Sequence, residues 1–127
     1  MIMTSSFDEA VRLLDKWKTD SALVMVAFFD GPPERPRTLA VRLTGSVAEI
    51  SGSWVVVANE SALCSLRLEI SGADFEYIEP GDRRLAIADA DRERAEQYVE
   101  SNLSLRWPDG NFCVFSLLRE GEAFTRP

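Results

Sequence analysis

Apolar and polar residues alternate in this chain with two different periods. Phe7, Ala10, Val11, Leu14 and Trp17 or Lys18 recur at the spacing of one helical face. Ser6-Phe7-Asp8-Glu9 opens that stretch with the signature of a capping box, the serine capping and the glutamate reaching back. Asp8 and Glu9 suit the positive end of the helix dipole. An amphipathic helix lying on a sheet is expected from Phe7 to about Thr19.

Beyond Asp20 the period shortens to two. Ser21 to Asp30 is apolar on both alternating faces, as in a strand covered on both sides. Gly31-Pro32-Pro33-Glu34-Arg35-Pro36 cannot continue a ladder, since proline lacks the donor, and reads as a stiff loop. Arg37 to Ile50 holds the clearest strand pattern: Leu39, Val41, Leu43 and Val47 point one way, and Thr38, Arg42, Thr44 and Ser46 the other. Gly45 interrupts the inward row and marks a bulge or a sharp bend. Trp54–Asn59, the alternating Ala62–Ile70, and Phe75–Ile78 follow as strands separated by short turns. Leu85–Ala88 adds a brief extended segment.

Asp89, with Asp91 and Glu93 behind it, reads as the cap and first turn of a second helix. Ala95, Tyr98, Val99 and Asn102 or Leu103 form its apolar face. Trp107-Pro108-Asp109-Gly110 is a turn, and Phe112–Leu118 a last strand. Short links between strands mean antiparallel neighbours. The expected fold is therefore α+β: an N-terminal helix, a strongly bent antiparallel sheet of about five to six strands forming a roll or small barrel, and a second helix before the last strand. With 127 residues, one domain spanning 1–127 is expected.

Composition narrows the chemistry. Histidine is absent, which removes Ser-His-Asp triads, Cys-His pairs and histidine-bound metals. The only lysines, Lys16 and Lys18, fall on the first helix, away from any pocket suited to a Schiff base. Cys64 and Cys113 form no C-x-x-C pattern, and both read as small buried strand residues. The net charge of -7 and the dispersed arginines argue against nucleic acid. No apolar run approaches the ~20 residues of a membrane span, and no signal segment is evident, so a cytoplasmic location is expected.

Four constellations remain. Asp89, Asp91, Glu93 and Glu100 have the spacing of a calcium loop, but Arg94 stands where its sharp turn needs glycine, so they read as helix acids. Asp74, Glu76, Glu79 and Asp82 could in principle serve acid–base or magnesium chemistry; solvated turn acids are the simpler reading. Arg42, Thr44, Arg67 and Glu69 lie on polar strand faces and would form an anion-binding patch if the strands adjoin. Phe28, Trp54 and Phe115 sit in strands apolar on both faces and are candidate interface residues for a homodimer. Pro33-Glu34-Arg35-Pro36 offers a short docking motif, weaker than its reading as a rigid loop.

No catalytic group, metal or cofactor is assigned. The expectation is a non-catalytic interaction domain, self-associating as a homodimer or binding another protein, with no nucleic acid and no membrane among its partners. A binder of a small anionic ligand is the first alternative, and a carboxylate-based or divalent-metal enzyme the second.

Overall fold

The computed structural model describes residues 2–30, 38–78 and 99–119. These residues are mostly β. The single helix among them, α1 (Phe7–Thr19), carries the expected capping box. The Ser6 hydroxyl accepts from the Glu9 backbone N–H at 3.2 Å, and the Glu9 carboxylate accepts from the Ser6 backbone N–H at 3.2 Å. Those hydrogen bonds from Ser6 hold the Glu9 carboxyl below its ordinary range. Ala10, Leu14 and Trp17 form the buried face of α1, as their spacing predicts.

The strands are β1 (Ile2–Ser5), β2 (Val24–Asp30), β3 (Thr38–Ser51), β4 (Trp54–Asn59), β5 (Cys64–Glu69), β6 (Asp74–Ile78), β7 (Val99–Arg106) and β8 (Phe112–Leu118). Seven have five residues or more, and β1 adds a four-residue edge. All pairings are antiparallel, in the order β1-β6-β7-β8-β2-β3-β4-β5. β1 and β5 do not pair with each other, so among the described residues the sheet is not closed.

Three expectations are corrected. The sheet has eight strands instead of five or six. The short Ile2–Ser5 segment pairs with Ile78–Phe75, and four residues are too few for alternation to reveal. The C-terminal part of the expected second helix is strand: Val99, Asn102 and Leu103 lie in β7, while residues 89–98 and the segment Leu85–Ala88 fall outside the described residues. Cys64 is exposed at the start of β5, whereas Cys113 is buried as expected, and both thiols are free. Burial pushes the Cys113 thiol far above its ordinary value, which keeps it protonated and unreactive.

One core joins α1 to both parts of the sheet. Ala10, Leu14 and Trp17 meet Val24, Val26, Phe75, Leu103, Leu105, Cys113 and Phe115 from the β6-β7-β8-β2 side. They also meet Val47, Val55, Val57 and Ile70 from the β3-β4-β5 side. β3 is the link between the two. Its Thr38–Gly45 portion pairs with β2, and its Ser46–Ser51 portion with β4. At the changeover a Cβ on Gly45 would run into the backbone carbonyl of Ala58. Only glycine allows the two strands to approach that closely.

Candidate functional site: the open strand edges

β4 ends at Asn59, opposite the middle of β3, so the upstream part of β3 has β2 on one side and no strand on the other among the described residues. Asn59 marks the boundary. Its Nδ2 donates to the Thr44 backbone carbonyl at 3.0 Å, and its Oδ1 accepts from the Ala62 N–H at 3.0 Å. The Thr44 carbonyl therefore points away from β2. In an antiparallel ladder successive residues direct their peptide groups to opposite sides, so Arg42 also presents its peptide groups to the open side.

Thr38, Leu39, Ala40, Val41 and Arg42 are all exposed along this edge. Among the described residues the exposed large hydrophobic ones are Leu39 (45%), Val41 (41%), Trp54 (38%) and Leu63 (93%). Leu63 sits on the β4–β5 turn that Asn59 ties to Thr44. The β2–β3 register slips between Phe28 and Phe29, which pair with Val41 and Leu39 and leave Ala40 as the extra residue. Half-buried aromatics back this end of the sheet: Phe28 lies 6.0 Å from Trp107, and Phe29 6.0 Å from Phe112.

β5 likewise has a neighbouring strand on one side only among the described residues. The Ile70 N–H donates to the Ser53 carbonyl at 2.9 Å, so by the same alternation Ser65, Arg67 and Glu69 turn their peptide groups outward. Arg67 stacks over the Trp54 ring at 4.3 Å, a cation–π contact worth ~0.5–1 kcal/mol at an exposed position. The Glu69 carboxylate accepts from both the N–H and the hydroxyl of Ser71. Hydrogen bonds from Ser53 and then Ser71 hold its carboxyl below the ordinary range.

The proposed anion-binding residues fall into two separate groups. Arg67 and Glu69 share one face of β5 beside Trp54. Through Val56, Arg67 stands level with Glu49 on β3. Arg42 is seven residues upstream of Glu49, roughly 20 Å of strand at ~3.3 Å per residue. Arg42 and Thr44 thus line the β3 edge, and the structure does not bring the two arginines together. The proposed interface residues also separate. Trp54 is exposed and Phe28 half-buried, but Phe115 is wholly buried in the chain's own core and offers a partner no surface. Its apolar neighbours on both sides come from the strands and helix of the same chain.

The acids do not converge either. Asp74 and Glu76 are exposed on β6, opposite Arg106 and Ser104, while Glu79 and Asp82 lie outside the described residues. So do Asp89, Asp91, Glu93 and the Gly31–Pro36 loop. No group of three metal-ligating side chains occurs among the described residues. No helix there is long and apolar enough to cross a membrane.

Two features escape the sequence patterns. An open cleft of about 410 Å³ lies between the end of α1 and the β7–β8 ladder, lined by Lys16, Trp17, Asp20, Glu100, Leu117 and Arg119. The β7 irregularity between Val99 and Ser101 leaves Glu100 without a β8 counterpart and turns it into this cleft. β7 also buries Ser101 Oγ, Asn102 Oδ1 and Ser104 Oγ, which have no hydrogen-bond partner among the described residues. A helical reading of Asn102 and Leu103 hides both features. The strand alternation of Val99, Ser101, Leu103 and Leu105 is the signal that could have exposed them.

No family model, curated protein or solved structure matches this chain.

Proposed function

We propose that this chain is a non-catalytic protein-interaction domain that self-associates. The observation that carries this reading is where its large exposed hydrophobic side chains lie. Among the described residues they all lie on the β3-β4-β5 part of the sheet and its turns. Leu39 and Val41 lie on the stretch of β3 that has no second neighbouring strand among the described residues, Leu63 lies on the β4–β5 turn, and Trp54 lies on β4 next to the edge strand β5. An open edge offers a row of peptide donors and acceptors, and a partner strand is the group that satisfies them all at once. A symmetric dimer uses the same patch twice, which makes self-association the simplest arrangement.

Sedimentation tests the reading. The weight-average mass should rise with concentration from the 14.2 kDa of one chain towards twice that value. Edge contacts are at the small end of interface sizes, so the rise should fall in the ~10–100 μM range. A mass that stays at one chain throughout that range would refute it.

A further inference from the structure

We propose that the cleft between the end of α1 and the β7–β8 ladder binds a small zwitterion, an α-amino acid with an aliphatic side chain. This site stands apart from the strand edges of the self-association reading and does not depend on it.

The cleft has two walls, and each carries one cation and one acid. Lys16 and Asp20 come from the end of α1, while Glu100 comes from β7 and Arg119 follows β8. Asp20 stands four residues after Lys16, so the two are neighbours on one side of the helix end. Glu100 lies in the irregularity between Val99, which pairs with Leu118, and Ser101, which pairs with Leu117. Glu100 and Arg119 therefore sit at the same end of the β7–β8 ladder.

Three observations point to a ligand of both charges. First, no ion pair joins any of these four side chains to another group among the described residues. Glu100 is half-buried, and a partly desolvated carboxylate without a counter-charge is relieved when a cation arrives. Second, the two cations and two acids cancel, in a chain whose net charge is -7. A simple anion would meet Asp20, Glu100 and that overall charge, and a simple cation would meet Lys16 and Arg119. A metal ion would face the same two cations, and no group of three metal-ligating side chains occurs among the described residues. Third, Trp17 and Leu117 supply an apolar floor. The cleft's volume of about 410 Å³ falls in the lower part of the ~300–1,000 Å³ range of small-molecule sites.

The ligand's ammonium group belongs with Asp20 and Glu100, where the C-terminal end of α1 adds the negative end of the helix dipole. Its carboxylate belongs with Lys16 and Arg119, the guanidinium being suited to a carboxylate. The aliphatic group then covers Trp17 and Leu117.

Titration of the full chain with L-leucine, followed by residue-resolved amide shifts, tests this. Shifts should cluster at Asp20, Glu100, Leu117 and Arg119 and spare β4 and β5, with Kd in the ~0.1–1 mM range. Leucinamide lacks the carboxylate and 4-methylpentanoate lacks the ammonium group; each should bind roughly tenfold more weakly. Glu100→Gln should weaken leucine binding roughly tenfold and narrow its advantage over 4-methylpentanoate. Lys16→Gln should narrow its advantage over leucinamide in the same way. Unchanged shifts on β4 and β5 report that both variants are folded. Absence of shifts at about 20 mM leucine overturns the site. Equal binding of the two analogues and leucine, or undiminished binding by folded Glu100→Gln, overturns it too, because the paired charges would then not select the ligand.

Discussion

From Thr38 to Arg42, β3 pairs with β2 along one side and has no strand along the other among the described residues; from Ser46 to Ser51 it pairs with β4, and Val47 reaches the core at 4% exposure. The residue types scarcely differ. Leu39 and Val41 would suit a core as well as Val47 and Ile50 do, yet the first two remain exposed. What separates the halves is the length of a neighbour: β4 stops at Asn59. Strand propensity is a local property, but burial belongs to whatever lies alongside. An exposed apolar half-strand contiguous with a buried one is therefore a structural fact about β4 and Gly45 as much as about β3.

The largest effect should come from breaking the junction itself. Gly45→Ala places a Cβ against the Ala58 carbonyl, a backbone group that cannot turn aside as a side chain could. Either β4 moves off β3 or the junction opens, and overpacking of this kind costs ~1–3 kcal/mol or more. Urea unfolding should show a loss at the top of that range. The control is Ala40→Gly on the open half, where the change should stay within ~1 kcal/mol. If the two variants unfold at similar urea concentrations, Gly45 is not the point that divides the strand.

A matched pair sharpens the contrast at smaller scale. Val47→Ala removes two methyl groups from a packed site among α1 and β4 residues, and ~2 kcal/mol of destabilisation is expected from lost burial and a residual cavity. Val41→Ala removes the same atoms from a site 41% exposed and should cost well under ~1 kcal/mol in the monomer. The stability measurement is made at low protein concentration, because any association would add its own contribution to the measured value. Equal losses at the two positions would mean that the halves are buried alike.

Much of the local structure was legible beforehand, for reasons the same strand illustrates. The capping box of α1 depends on residues three apart, and β3 alternates over many positions, so both signals are contained within short windows. Gly45 was legible as an interruption, but not as a close approach to Ala58, which lies across a pairing that no local window contains. The slips at Phe28/Phe29 and between Val47 and Glu49 were hidden as well, because an extra residue in one strand is defined only by its partner. The clearest failure was at β7. The acids Asp89, Asp91 and Glu93 match a helix start, and a helical spacing of apolar residues continues through Val99–Leu103, where the structure has strand. Of the candidate site, Trp54, Arg67 and Glu69 do share a face, whereas the pairing of Arg42 with Arg67 required adjacency that the order of strands does not provide.

The smallest expected effect concerns acid. The β3–β4–β5 side carries Glu69, whose carboxylate accepts hydrogen bonds from Ser53 and Ser71 at the end of β5 and is thereby held below its ordinary value. A carboxyl with a lowered folded-state value contributes stability above its unfolded value, ~4.3 for glutamate. That contribution disappears as pH falls through the folded value. The carboxylate lies at the surface, so solvent screens it and the change in Tm should be slight. Hydrogen exchange resolved by residue is the more sensitive measure, since it reads local opening. Between about pH 5 and pH 3, amides around Ile70 and Ser71 should lose protection ahead of those on the β2-paired half of β3, which has no acidic residue from Thr38 to Thr44. Glu69→Gln should remove that difference, lowering protection at pH 6 to the level seen in acid and leaving it flat. If Ile70 and Ser71 keep their protection through the acid range, the Ser71 contact does not hold the end of β5. The two halves of β3 would then differ in burial alone.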